Sequence, residues 1–310
     1  MVEYQLGISY AVMHLRRTFD MGNIKKMRKK MRPVDRVKDI LAYIGIYSIL
    51  IVVSISILYP VIWIVGSSFN PGSSLASATS IPKNPTLNNF IRLFEETDYK
   101  RWYLNTLSVA TVNMIVSVLL VGTMGYVFAR LKFAGKKFGL LTILILQMFP
   151  SFMGMIAIYV FFLNFGLLNQ PLALVIIYSA GQIPYNTWLI KGYLKNVSTS
   201  LDEAAQIDGA TKLQIYTKIV LPIMFPILTF VAITQFMAPW FDYILPSFLI
   251  SSTEKKTLAV GLYELINSQT NTNFTMFAAG SVLVAGPVAI LYLFLQKFLI
   301  SGLSAGANKE

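Results

Sequence analysis

Six long apolar runs restrict this chain more than any other feature. A helix rises ~1.5 Å per residue, so a ~30 Å hydrocarbon core is crossed by about 20 mostly apolar residues. Inside lipid every backbone polar group must be satisfied within its own segment, which favours helices. Qualifying runs lie at about 40–67, 103–129, 140–165, 171–191, 219–241 and 276–299. They predict an all-α integral membrane protein with six transmembrane helices. Only Gly166-Leu167-Leu168-Asn169-Gln170 separates the third from the fourth, so these two form a helical hairpin. The composition agrees: 55% hydrophobic, 13% charged and a mean hydropathy of +0.61. Soluble domains carry about 25% charged residues, so a soluble enzyme is excluded.

The formal net charge of +12 suits either nucleic acid or a membrane surface until it is sorted by loop. Ten of the 26 Lys and Arg residues precede the first run. Four lie between runs two and three, four from the end of run four (Lys191) to run five, and two, Lys297 and Lys309, at the end of the chain. Six remain for the other side. Basic residues concentrate in cytoplasmic loops, so both termini are placed in the cytoplasm and a nucleic-acid partner is rejected. Residues 1–38 read as a basic cytoplasmic tail along anionic headgroups, 39–300 as the membrane domain and 301–310 as a cytoplasmic C-terminal tail. No cleavable signal peptide is read, and Met1, Met21, Met27 and Met31 are alternative starts.

Chemistry inside the chain is sparse. There is no Cys, and the one His is His14 in the basic tail, so thiol chemistry, a His-based triad and a multi-His metal site are not available. Gly135-Lys136-Lys137 lacks the upstream Gly and the hydroxyl of a phosphate-binding P-loop. No catalytic residue, metal ligand or resident cofactor is predicted.

The longest inside loop, at about 192–222, carries structure. Ser200-Leu201-Asp202-Glu203 fits a capping box, with Ser200 as the cap and Glu203 reaching back. A short helix follows through Ile207 and closes at Asp208-Gly209, Gly suiting a left-handed stop. Thr211 caps a second helix that yields near Pro222. The paired Ala204 and Ala205 leave one face flat for another protein. On these residues alone, Glu203 and Gly209 serve equally well as a helix cap and a helix stop.

The run Glu203-Ala204-Ala205, three residues, Gly209, nine residues, Ile219, one residue, Leu221-Pro222 resembles, position for position, the EAA loop of permease subunits of bacterial ABC importers. From about residue 40 onward the chain looks most like the smaller, MalG-type permease of maltose-class carbohydrate importers. Tyr59-Pro60-Val61-Ile62-Trp63, Gly125-Tyr126-Val127-Phe128-Ala129-Arg130 and Met237-Ala238-Pro239-Trp240-Phe241-Asp242 carry that likeness.

This resemblance implies a type I importer permease fold in the bacterial cytoplasmic membrane. It implies a second homologous permease subunit, two ABC ATPase subunits that hold the ATP and Mg²⁺, and an extracytoplasmic sugar-binding protein delivering a carbohydrate. Glu203, Ala204, Ala205, Asp208, Gly209, Ile219, Leu221 and Pro222 would then form the ATPase-coupling element. Gly302, Leu303, Ser304, Ala305 and Gly306 resemble the family's C-terminal tail to the ATPase pair. The outer loop with Asn267, Gln269, Asn271 and Asn273 would face the binding protein. The tail before residue 40 has no counterpart in the family pattern.

Amides inside spans are costly unless paired or facing a water-filled path. Asn113, Gln182 and Gln235 are therefore candidates for a sugar path, the alternative being interhelical hydrogen bonds. Gly122, Gly125, Gly154, Gly280 and Gly286 read as packing positions, and Pro150, Pro184, Pro226 and Pro287 as helix kinks. A secondary transporter or channel would need ionisable groups within the spans, and a membrane enzyme would need clustered acid–base or metal ligands. Neither pattern is present. A peptide or phosphonate permease, or one for another sugar, would share the EAA-type loop.

Overall fold

The computed structural model describes residues 33–75, 78–148, 151–267 and 272–307, and among them there is helix and no strand. Two units are distinguished, residues 1–62 and 63–310. The described part of the first belongs to helix α1 (Pro33–Ser68). The second begins within the last two turns of that helix. It continues through α2 (Asn88–Glu96), α3 (Tyr99–Arg130), α4 (Lys136–Gln147), α5 (Met155–Asn164) and α6 (Pro171–Lys195). The remaining helices are α7 (Ser200–Ile207), α8 (Lys212–Ile223), α9 (Phe225–Phe241), α10 (Ile244–Leu249), α11 (Leu258–Asn267) and α12 (Phe274–Ala307).

Among the described residues, Tyr43–Ser68, Tyr99–Arg130 and Phe274–Phe294 are each long and apolar enough to cross a membrane unaided. A bent pair, Lys212–Ile223 with Phe225–Phe241, passes as a fourth, its halves meeting at 76°. The expected third span is not one helix. It is α4, a 3₁₀ turn at Ser151–Gly154, and α5. The physical reason lies in the sequence, where Pro150 removes a backbone donor and biases the residue before it away from helix. Helix α6 has the length, at 25 residues, but from its middle onward it carries Gln182, Pro184, Asn186, Lys191 and Lys195. The hairpin between α5 and α6 forms as expected. Pro171 opens α6, and left-handed Asn169 (φ 58°) accepts through Oδ1 from Ser251 N and Ser252 N.

Helix α3 is the centre of the second unit and packs against α6 and α9, while α9 also meets α12. A Cβ on Gly125 would lie 2.4 Å from Ile190 Cγ2, so the α3–α6 crossing depends on a residue without a side chain. Gly122 and Gly280 are tightly neighboured as well, whereas Gly286 meets nothing within 4 Å and Gly154 only ordinary contact. One apolar cluster lies at the Arg130 end of α3 (Val121, Ile190, Leu194, Ile215, Met224, Val231). Another lies at its Tyr99 end (Leu93, Tyr99, Trp102, Trp240, Leu258, Met276). Helices α6 and α12 run on through Pro184 and Pro287, whereas Pro226 sits just after the 76° bend.

Candidate functional site: the helix–turn–helix at 200–223

Helix α7 ends where its sequence says it must. Gly209 takes a left-handed φ of 81°, Gly209 N donates to Gln206 O at 3.1 Å, and Ala210 N donates to Ala205 O at 2.9 Å. Those two bonds make a Schellman stop, which consumes carbonyls that the helix end would otherwise leave bare. Two residues on, Thr211 opens α8 with a reciprocal capping box. Gln214 N donates to Thr211 Oγ1 at 3.3 Å, and Thr211 N donates to Gln214 Oε1 at 2.8 Å. The turn is therefore fixed from both sides.

The start of α7 differs from the expectation. Thr199, not Ser200, holds the cap position, and its hydroxyl donates to Glu203 Oε1 at 3.2 Å. Ser200 lies in the first turn, and its hydroxyl pairs with that of Ser198 at 2.7 Å. The flat alanine face is also divided. Ala205 is buried in the apolar cluster below, whereas Ala204 is exposed. Glu203, Asp208 and Gly209 are exposed too, and Ile207 is 87% exposed, so the outer surface of α7 is a short acidic helix ending in a bare aliphatic side chain.

What holds α7 was not among the predicted site residues. Arg130, the last residue of α3, reaches Asp202 in the first turn of α7, with Nε to Oδ2 at 3.1 Å. Their side chains are 7% and 10% exposed. This contact is an ion pair, not an aligned hydrogen bond, because the Nε–H is not directed at the carboxylate. The guanidinium also donates through Nη2 to Val197 O at 2.9 Å and Ser198 O at 3.4 Å. A single side chain thus ties the end of α3 to both the α6–α7 link and α7. Two buried charges are tolerable only when paired and further hydrogen-bonded. In the sequence Arg130 is merely one inside charge, and Asp202 merely a first-turn acid. Nothing in their spacing announces the pair.

Ile219 lies in a π-helical turn, Tyr216–Val220, which packs with α8's neighbours against the same cluster. Leu221 and Pro222 follow in the last turn before the bend.

The other candidates are scattered. Asn113 and Gln235 are buried and meet each other: Asn113 Nδ2 donates to Gln235 O at 2.8 Å, and Ser117 donates to Asn113 Oδ1 at 3.2 Å. Gln182 is partly buried, its carbonyl accepting from Asn186 Nδ2 at 3.1 Å. The outer connection expected as a loop is largely α10 and α11. Asn267 is exposed at the end of α11, while Gln269 and Asn271 lie outside the described residues. Asn273 is buried and caps α12, its Oδ1 accepting from Met276 N at 3.1 Å and from the Thr275 hydroxyl at 3.2 Å. Residues 302–306 are not a separate tail in the backbone. They continue α12 to Ala307.

With this geometry in view, comparison with known proteins places the chain. Residues 103–304 match the family described as binding-protein-dependent transport system inner membrane component, and the chain belongs to that family. It is a transport permease.

Among its relatives, a maltodextrin transport system permease of Bacillus subtilis strain 168 is 44% identical over 85% of this chain and 95% of its own length. A galactooligosaccharides transport system permease of the same organism is 40% identical over 85% and 94%. The maltose/maltodextrin permease of Escherichia coli K12 is 37% identical over 67% and 72%. A crystal structure of a bacterial ABC transporter for alginate import shares the fold, with a TM-score of 0.75 at 23% identity over 86% of this chain and 98% of that one.

Proposed function

We propose that this chain is one of two permease subunits in an ATP-driven importer that moves an oligosaccharide, of the maltodextrin kind, across the bacterial cytoplasmic membrane. In this reading the chain makes six passes with both termini inside, α4–α5 forming a broken third pass and α8–α9 a bent fifth. The membrane domain spans residues 39–300. A homologous permease completes the pathway, a binding protein delivers the sugar outside, and two ATPase subunits bind and hydrolyse ATP with Mg²⁺. Asn267 and its neighbours face the binding protein, and residues 302–306 run toward the ATPase pair.

The observation that carries this reading is the exposed α7. Glu203 and Ile207 project from a helix whose two ends are fixed and whose base is bound to α3 through Arg130. Such an element seats in a groove of the ATPase with little ordering cost, because its own conformation is already set. Alternating access follows. When the ATPase dimer closes, α7 moves with it, the Arg130–Asp202 link carries the displacement to α3, and the helices packed on α3 pivot.

The test is reconstitution with the partner permease, ATPase and binding protein, measuring stimulated ATPase activity and uptake of labelled malto-oligosaccharides. Replacing Glu203 and Gly209 together is expected to abolish ATPase association and uptake; unchanged values for both would refute the coupling assignment. Galacto-oligosaccharides are the second substrate to test, since the 40% identical relative carries that name.

A further inference from the structure

A cleft of about 820 Å³ opens between the α3–α4 link, the start of α4 and the end of α6. Phe133, Lys136, Lys137, Phe138, Leu141 and Lys191 line it, and no carboxylate does. Among the described residues none of the three lysines is in an ion pair. Lys136 Nζ donates to Leu131 O at 2.9 Å and Ala129 O at 3.4 Å, and so closes the end of α3. Lys191 Nζ stands 4.4 Å from the centre of the Trp188 ring. Burial, and then the charge of Lys191, hold the Lys136 ammonium below the usual lysine range. Positive charge is therefore crowded here without a protein anion to balance it.

From this geometry we propose that the cleft holds the phosphate of an anionic phospholipid, with Lys136, Lys137 and Lys191 as its counter-charges. Lysines serve as point-charge partners of phosphate, and basic pockets between membrane helices suit anionic headgroups. The apolar side of the cleft selects lipid over free phosphate. Phe138, 76% exposed, and Leu141, three residues along, form a strip on α4 leading away from the lysines. A soluble anion would leave that strip bare, whereas acyl chains cover it. The assignment needs only that α4 and α6 border a bilayer, so it stands or falls apart from the transported substrate.

The test is native mass spectrometry of the full chain in mild detergent, with phosphatidylglycerol, phosphatidylcholine or inorganic phosphate added. The chain is expected to retain phosphatidylglycerol over phosphatidylcholine. K137Q/K191Q, which keeps the Lys136 bonds to α3, is expected to lose about fivefold of that preference per lysine removed, and K137R/K191R to keep it. Equal retention of both lipids, or a preference that survives both K137Q/K191Q and the triple Gln variant, overturns the proposal. So does full displacement of phosphatidylglycerol by millimolar inorganic phosphate, which would make the ligand a free anion. Loss of ATPase association by K137Q/K191Q with lipid retention intact would assign the lysines to a partner's carboxylates, and also overturns it.

Discussion

Arg130 and Asp202 face each other at 3.1 Å across the junction between the 32-residue helix α3 and the short helix exposed at its end. Removing either partner leaves an uncompensated buried charge, which costs about 3–5 kcal/mol. R130A and D202A are each expected to lower the unfolding temperature of the purified chain and to reduce sugar uptake. The exchange variant R130D/D202R is expected to recover part of both. Stability recovered without uptake would assign the pair to folding alone.

Gly209 tests the turn separately from that anchor. A Cβ there meets nothing within 4 Å, so the only penalty is the left-handed φ of 81°. That penalty is about 1–2 kcal/mol for an L-residue. G209A is expected to leave the chain folded while weakening its capture of the ATPase in a pull-down. G209N, which tolerates this conformation better, is expected to be milder.

The α3–α6 crossing gives a third prediction. At Gly125 even a methyl group collides with Ile190, and overpacking of this kind costs about 1–3 kcal/mol. G125A is expected to destabilise the chain on thermal unfolding in detergent, and I190A placed beside it is expected to relieve the clash.

Asn113 Nδ2 donates to the buried main-chain carbonyl of Gln235, so removing the Asn113 amide leaves that carbonyl without this donor, at about 1–3 kcal/mol. N113L is expected to lose stability with the uptake KM for sugar unchanged. A raised KM at normal stability would return these amides to the transport path.

Which features could be read in advance follows from the range of the forces involved. Helices α1, α3 and α12 were legible because continuous apolar composition suffices to define them. The Gly209 stop and the Thr211 cap were legible because each is built from residues only a few positions apart. The cap at Thr199 was missed by one residue, since Ser198, Thr199 and Ser200 all carry the required hydroxyl. The break before Ser151 and the bend after Ile223 fall beside two of the four prolines read as kinks, whereas Pro184 and Pro287 lie within helices that run on, and the sequence does not say which prolines the packing will straighten. The Arg130–Asp202 pair is 72 positions apart in the chain and depends on α3, α6 and α7 converging. Asn273 looked like a loop residue among its polar neighbours until the start of α12 claimed its side chain.

The π-helical turn at Tyr216–Val220 and the 76° bend that follows have a mechanical meaning. A straight rod pushed at one end only slides, whereas an elbow turns a sideways pull on its short arm into a torque on its long one. Here the short arm, α8, continues from α7, and the long arm, α9, lies against α3. A π turn already holds one residue more than an α turn, so it can give up or take back that residue's worth of rotation without breaking the helix on either side. On the proposed coupling role, α7 is thereby geared to α9 and α3 through a joint that is bent and π-helical rather than a straight rod.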